Sequence, residues 1–252
     1  GHAQALEAAN REVAAQRDQL TAAEAEAEAL AQALIHDLKS PLLTIKWYAG
    51  LLDEDAQRSD PDQLKMDLHR IIRAADRMQE LLAEVLKLSR IGRVVSPPEK
   101  ISFGTIAHEA VDVLSGPLVE RGIRVVIEPD LPTVTVDHAR IREVLVSLLE
   151  NAIRALTGRT DPEIRIGADM TGTIPVFFVL DNGVGIDPRY LDRIFTMFEK
   201  LDASSPGTGV GLTIVKRIIE VHGGTIRAVS EGEGKGTSIR FTLPEPAGKD
   251  TC

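Results

Sequence analysis

The chain has 252 residues, 43% of them apolar but only 4% aromatic, so its core must be built from Leu, Ile, Val and Ala, in one large domain or two modest ones. Lys and Arg number 29 against 38 Asp and Glu, a net charge of −9, which excludes DNA binding through the general field and leaves only local basic patches. The single cysteine, Cys252, is the last residue, which excludes an internal disulfide framework and a clustered cysteine metal site.

Residues 3–33 contain no Gly or Pro. Leu6, Val13, Leu20, Ala27 and Leu34 recur every seven residues, with Ala9, Gln16, Ala23 and Leu30 three places behind. This spacing predicts a two-stranded coiled coil, weak in the middle, over a lone amphipathic helix that would have no partner for its seam. Gly1-His2 in front of it reads as a protease scar at the head of a fragment. No apolar run reaches about 18 residues and no signal peptide is visible, so no direct membrane insertion is expected of this piece, and a cytoplasmic setting is.

The apolar pattern continues through Leu38, Leu42, Ile45 and Leu51, interrupted by LIHDLKSPLLTI at 34–45. A purely structural helix has no need of a His36–Asp37 step; a helix that presents an imidazole for chemistry does. Pro41 should kink this helix, because it lacks a donor and crowds the preceding turn. A loop over 55–63 follows, then Pro61 opens a second long helix, where proline is tolerated. Leu64, Leu68, Ile71, Ala75, Met78, Leu82, Val85 and Leu88 give it an apolar stripe. The two helices form a hairpin over 34–93, and dimerisation into a four-helix bundle would cover what the hairpin leaves exposed.

A linker is expected over 94–101, around SPPEK, and a second domain over 102–246. Its pattern reads as a helix at 103–121, a strand at 124–128, a helix at 137–156, strands in EIRIGA and TIPVFFVL, a helix at 209–222 and strands in TIRAVS and TSIRFTL. That order predicts a multi-domain chain, all-α at first, then an α/β two-layer sandwich with helices against a mixed sheet. Residues 247–252 read as a tail.

Three glycine-bearing loops carry the chemistry of the second domain: LDNGVGID at 180–187, PGTGVGL at 206–212 opening a helix, and GEGKGTSIRF at 232–241. None is a dinucleotide fingerprint or a P-loop, yet glycines permit close approach and helix N-terminal amides receive phosphates. Asp181 is either a turn residue or a buried acceptor for an adenine amino group. Asn151 and Glu150 interrupt the helix EVLVSLLENAIRAL at a cost in propensity, either as solvent-facing residues or with Asn151 as an oxygen ligand for Mg²⁺. Arg154, one turn on, is placed to meet a phosphate.

In this order the motifs resemble those of the sensor histidine kinases of two-component signalling. LIHDLKSPL is similar to their phosphoacceptor box, LLENAIRAL to the Asn box, LDNGVGI to the first Gly box, IFTMFEK to the Phe box, GTGVGLTIVKRIIEVHGG to the second Gly box and GKGTSIRFTLP to the last. The resemblance covers about residues 30–244. It implies a helical dimerisation and phosphoacceptor domain, then an ATP-binding domain of the kind shared with gyrase, Hsp90 and MutL. Carried over, His36 is the phosphorylated nucleophile, Asp37 orients it and helps take its proton, and Asn151 binds Mg²⁺. Arg154 contacts phosphates, Asp181 binds adenine with Gly183 and Gly185 allowing the approach, and Thr237 lies near that pocket. Phe195 and Phe198 anchor a lid over roughly 199–208, ordinary core packing being the alternative for both. Gly207, Thr208, Gly209, Val210, Gly211 and Leu212 carry the lid across the phosphates.

The resemblance further implies ATP and Mg²⁺ as cofactors, a homodimer, a response-regulator receiver domain as partner, an upstream sensory domain and no nucleic-acid partner. Signal would arrive through the coiled coil as a twist of the paired helices. Two departures bear on activity. Ser147 stands four residues before Asn151, where many relatives carry a second Asn, and reaches metal or phosphate only through water. Ser40, four after His36, stands where members with phosphatase activity carry Thr or Asn; its hydroxyl can still align a water. His69, His108, His138 and His222 lack metal-ligand spacing and are expected in surface or packing roles. The competing readings are a nucleotide-binding scaffold or phosphatase-biased member with weak kinase activity, a stand-alone ATPase, which Ser147 cannot serve as acidic base, and a DNA-binding regulator, for which no basic recognition helix exists.

Overall fold

The computed structural model describes residues 17, 31–32, 34–52, 61–90, 97–196 and 209–243, without the side chains of 88–90. The coiled-coil positions before Leu34, the loop up to residue 60, residues 91–96, the lid and the tail lie outside the described residues. The chain divides into two compact units, Gly1–Leu82 and Ala83–Cys252.

In the first unit, helix α1 spans residues 34–52 and runs on through Pro41, which does not end it even though it has no N–H for the carbonyl of Asp37. Helix α2, Pro61–Arg90, starts on its proline with Asp62 in the first turn, where an acidic side chain suits the helix dipole. The expected single stripe of α2 resolves into two rows offset by one residue. Asp67, Ala74 and Leu81 are buried, with Ile71 and Met78 half-buried between them; Leu64, Leu68, Ile72, Leu82 and Leu86 form a second row that is exposed. Asp67 in the buried row is fully enclosed, and accepts hydrogen bonds from Gln63 Nε2 at 3.2 Å and Arg70 Nη1 at 3.2 Å. The Arg70 guanidinium lies 4.8 Å from the Tyr48 ring of α1, so one charged group joins the two helices while pairing the buried carboxylate. On α1, Ile35, Leu42, Leu43 and Trp47 are also exposed. Among the described residues no helix is long and apolar enough to cross a membrane.

The second unit opens on strand β1, Glu99–Ser102, followed by α3, Phe103–Val113, and the short α4, Ser115–Glu120. Strands β2, Arg124–Ile127, and β3, Thr133–Val136, precede α5, His138–Ala155. Then come β4, Glu163–Asp169, β5, Val176–Asp181, two 3₁₀ turns at Pro188–Tyr190 and Arg193–Phe195, α6, Gly211–Val221, β6, Ile226–Val229, and β7, Thr237–Thr242. The main sheet has the order β2-β4-β5-β7-β6, and β1 with β3 forms a separate antiparallel ribbon. Only the β2–β4 pairing of the main sheet is parallel. Ile164 and Ile166 of β4, Phe177 and Val179 of β5, and Ile239 and Phe241 of β7 alternate onto one face and are buried with the inward rows of α3, α5 and α6. Phe103 at the start of α3 sits at their centre, its ring 4.2 Å from Phe177 and 6.1 Å from Phe241. This is the two-layer sandwich expected.

Three local readings are corrected. The stretch read as linker is in part strand β1, and β3 was not anticipated: EKIS and TVTV are four residues each, too short to show a period. The single helix expected at 103–121 breaks at Leu114, because Pro117 has no N–H to give and crowds the carbonyl four residues back. His138 is neither a surface nor a simple packing residue. Its Nδ1 lies 2.9 Å from Glu99 Oε1 and its Nε2 2.7 Å from Glu109 Oε2, so it ties β1 and α3 to the first turn of α5. His69, His108 and His222 each direct Nδ1 to the carbonyl four residues back, and no metal-binding cluster of His, Cys, Asp or Glu occurs among the described residues.

Candidate phosphoacceptor and nucleotide sites

The candidate acceptor lies on α1. The His36 side chain is 84% exposed, and its Nδ1 stands 3.0 Å from Asp37 Oδ1. A carboxylate oxygen accepts, so this contact suits the tautomer with the proton on Nδ1. Ser40 is exposed one turn further on, and its carbonyl accepts from Thr44 Oγ1 at 3.2 Å.

The glycine loops meet in the second unit at the end of β5. Asp181 is the last residue of that strand, opposite Thr237 of β7 and Ile164 of β4. It is 7% exposed, and its Oδ1 accepts the Gly183 N–H at 2.8 Å. Burial pushes its carboxyl up to about 6, against the opposing pull of the Gly183 and Thr237 amides and of Arg159. Gly183 is demanded by space: a Cβ there would stand 2.6 Å from the Ala155 carbonyl oxygen. Gly236 is demanded twice, by φ +74° and because a Cβ would strike the Asp181 carbonyl oxygen. Gly236→Ala should cost about 2–4 kcal/mol in denaturant unfolding, the sum of left-handed strain and a clash with backbone that cannot yield.

The two loops beside Asp181 are stitched together. Ser230 Oγ accepts the Ile186 N–H at 3.0 Å and donates to the Gly236 carbonyl at 2.7 Å. The Gly234 N–H donates to the Val184 carbonyl at 2.6 Å. Arg159 donates from Nε to the Asn182 carbonyl at 2.7 Å, and from Nη2 to the Gly183 carbonyl at 3.2 Å and the Gly234 carbonyl at 2.8 Å. Asn182 is held in turn, its Oδ1 accepting the Glu163 N–H and its Nδ2 donating to the Asp161 carbonyl. The sequence reading missed Arg159, Ser230 and this role of Asn182. The one available signal was Gly158-Arg159 straight after a helix, since a left-handed glycine at φ +81° turns the chain back.

The far end of α5 supplies the third wall. Arg154 donates to Asn151 Oδ1, while Asn151 Nδ2 is buried without an acceptor. Ser147 Oγ lies 3.2 Å from where a Cβ on Gly211 would stand, so this face of α5 looks onto the start of α6. Gly209 takes φ +80° just before that helix. Val210 is fully buried in the core and Leu212, half-buried, packs against it. Phe195 is also core, at 8% exposure, and its carbonyl accepts from Thr213 Oγ1 of α6 at 3.2 Å. Gly207, Thr208 and Phe198 lie outside the described residues. Asn151 on α5 thus carries an orphaned amide, and Asp181 at the end of β5 is a buried acceptor beside Gly183 and Gly236, where a Cβ would meet backbone.

Comparison with known proteins agrees. The family described as His Kinase A (phospho-acceptor) domain matches residues 26–93, and the one described as Histidine kinase-, DNA gyrase B-, and HSP90-like ATPase matches residues 136–247. The chain is 48% identical over 228 residues to the methanogenesis regulatory histidine kinase FilI of Methanothrix harundinacea, covering 90% of this chain and 26% of that protein. It is 37% identical to cyanobacterial phytochrome B of a Nostoc species, over 87% of this chain and 30% of that one. It thus spans about a quarter to a third of the length of these relatives. The crystal structure of the histidine kinase ThkA with the response regulator TrrA superposes with a TM-score of 0.67 at 24% identity, covering 87% of this chain and 62% of that one, a likeness of fold. With a phosphoacceptor domain followed by an ATPase domain of this type, the chain belongs to the sensor histidine kinases.

Proposed function

We propose that the chain uses ATP to phosphorylate His36 and passes the phosphoryl group to an aspartate on a response-regulator receiver domain. The observation that carries this is the placement of His36: the imidazole projects into solvent with Nδ1 3.0 Å from Asp37 Oδ1, an arrangement that supports a proton on Nδ1 and Nε2 as the nucleophile. In the transfer a bond forms between Nε2 and the γ-phosphorus, and the bond from that phosphorus to the bridging oxygen breaks to release ADP. Positive charge that develops on the ring is met by Asp37, which also receives the Nδ1 proton or relays it to water. Asp181 accepts the adenine amino group, and Gly183, Gly185 and Thr237 allow the base to approach. Asn151 is the Mg²⁺ ligand through Oδ1, which requires Arg154 to leave that oxygen and take a phosphate instead. When bound, Mg²⁺ offsets charge on the transferring group. Phe195 holds the start of the lid, whose glycines cover the phosphates. Ser40 stands four residues after His36, where its hydroxyl can align a water for phosphatase activity. The exposed row of α2 is the face on which two chains form a homodimer.

Incubation with γ-labelled ATP and Mg²⁺ should place an acid-labile, base-stable label on the wild type and none on His36→Ala or Asn151→Ala. Label that survives in His36→Ala assigns another acceptor. Nucleotide binding without any label on the wild type assigns a scaffold, the reading that Ser147 favours.

A further inference from the structure

We propose that Arg159 is a positioning residue for the nucleotide, one guanidinium that sets the spacing of the two loops forming the base pocket. The inference rests on the reading of Asp181 as the adenine acceptor. Arg159 sits in the turn after α5, aimed back by the left-handed Gly158. Its Nε takes the Asn182 carbonyl at 2.7 Å, and its Nη2 takes the Gly183 carbonyl at 3.2 Å and the Gly234 carbonyl at 2.8 Å. Two of these carbonyls flank the first loop directly after Asp181; the third belongs to the loop that leads into Thr237. A planar fork of fixed geometry therefore spans the pocket from outside.

Both loops bring carbonyl dipoles to this point, and their oxygens repel one another unless a cation lies between. A neutral side chain cannot answer three acceptors, and a lysine ammonium lacks the flat fork needed to hold them at set angles. Ser230 and the Gly234–Val184 hydrogen bond also join the loops, so losing Arg159 should loosen the pocket rather than unfold it. Arg159 has a second effect through the same placement. It is the charged side chain acting on Asp181, whose other partners are the backbone amides of Gly183 and Thr237, and it favours the ionised carboxylate.

The test compares wild type, Arg159→Gln and Arg159→Lys as the full chain. ADP with Mg²⁺ is titrated calorimetrically from pH 5 to 8.5, and labelling kinetics are run beside it. Arg159→Gln should weaken ADP about tenfold and raise KM for ATP by a similar factor, with kcat at saturating ATP within about twofold. The acid midpoint below which ADP affinity falls should move upward. Arg159→Lys should restore that midpoint but not the affinity, a separation that general loosening cannot produce. Exchange at the amides of Val184 and Gly234 in nucleotide-free protein should speed up in both variants. ADP affinity unchanged in Arg159→Gln, a loss confined to kcat, or loss of the folded second unit in both variants overturns the proposal. Asp181→Asn separates the two levels. If that variant binds ADP like wild type, the adenine reading fails; if it loses ADP while the Arg159 variants do not, only the role of Arg159 fails.

Discussion

Asp181→Asn should yield a chain that is more heat-stable than wild type at pH 7.5 and holds nucleotide more weakly. Burial raises the folded-state carboxyl from 3.8 to about 6. Between those values the folded state binds more protons than the unfolded one, so stability falls as pH rises from about 4 to about 6, and the full penalty stands above it. A shift of this size corresponds to roughly 3 kcal/mol. The asparagine keeps an oxygen for the Gly183 N–H but carries a desolvation cost of its own, so a net gain of about 2 kcal/mol is expected, or about 5 °C in the melting of the ATPase domain. The difference from wild type should close as pH approaches 4. Binding moves the other way. Exchanging an ionised acceptor for an amide should weaken ADP about 10- to 100-fold, and wild-type affinity should itself decline below pH 6 as Asp181 takes up its proton. Melting curves at pH 4.5 and 7.5, paired with ADP titrations, check both halves. A variant that melts at or below the wild-type temperature at pH 7.5 would show that the buried carboxylate is not under strain.

The second large effect is expected on α2. Leu68 and Ile72 are each 48% exposed and lie one turn apart in the outward row. Leu68→Glu with Ile72→Glu should leave the helix intact, since glutamate is a good helix former in water. If the row is a dimer face, each protomer would bury two unpaired carboxylates. A cost of several kcal/mol raises the dissociation constant by about a thousandfold or more. Light scattering at micromolar concentration should then report a monomer where the wild type reports a dimer. An unchanged dimer mass would place the interface elsewhere, on the exposed Ile35, Leu42 and Trp47 of α1 or outside both helices.

Much of this architecture was legible because long elements with a strong period announce themselves. Helix α5 and strands β4 to β7 fell close to their expected places, and the glycine loops stood out by composition. What escaped did so for physical reasons. Strands β1 and β3 rest on pairing with each other and on burial of Val134 and Val136 in the core, non-local facts that four residues cannot encode. The two rows of α2 are hard to separate because both are largely apolar, Asp67 apart, and differ by one position; only burial separates 67–71–74–78–81 from 64–68–72–82–86. Val210 lies inside a glycine motif, and the motif alone did not show that its side chain is buried in the core. Arg159 was invisible because its partners are carbonyl oxygens, which every residue has.

The hydrogen bond from Thr213 to the Phe195 carbonyl bears on how such proteins diversify. One end of the intervening segment is tied to α6 by that bond, and the other enters α6 through the buried Val210. Its endpoints are therefore set by the scaffold, whatever lies between them. Closing a chain between fixed points costs more only with the logarithm of its length, roughly 0.6 kcal/mol per doubling. Insertions, deletions and wholesale rewriting between Thr196 and Gly209 should accordingly leave stability almost untouched. Selection can then retune the segment without renegotiating the fold that carries it.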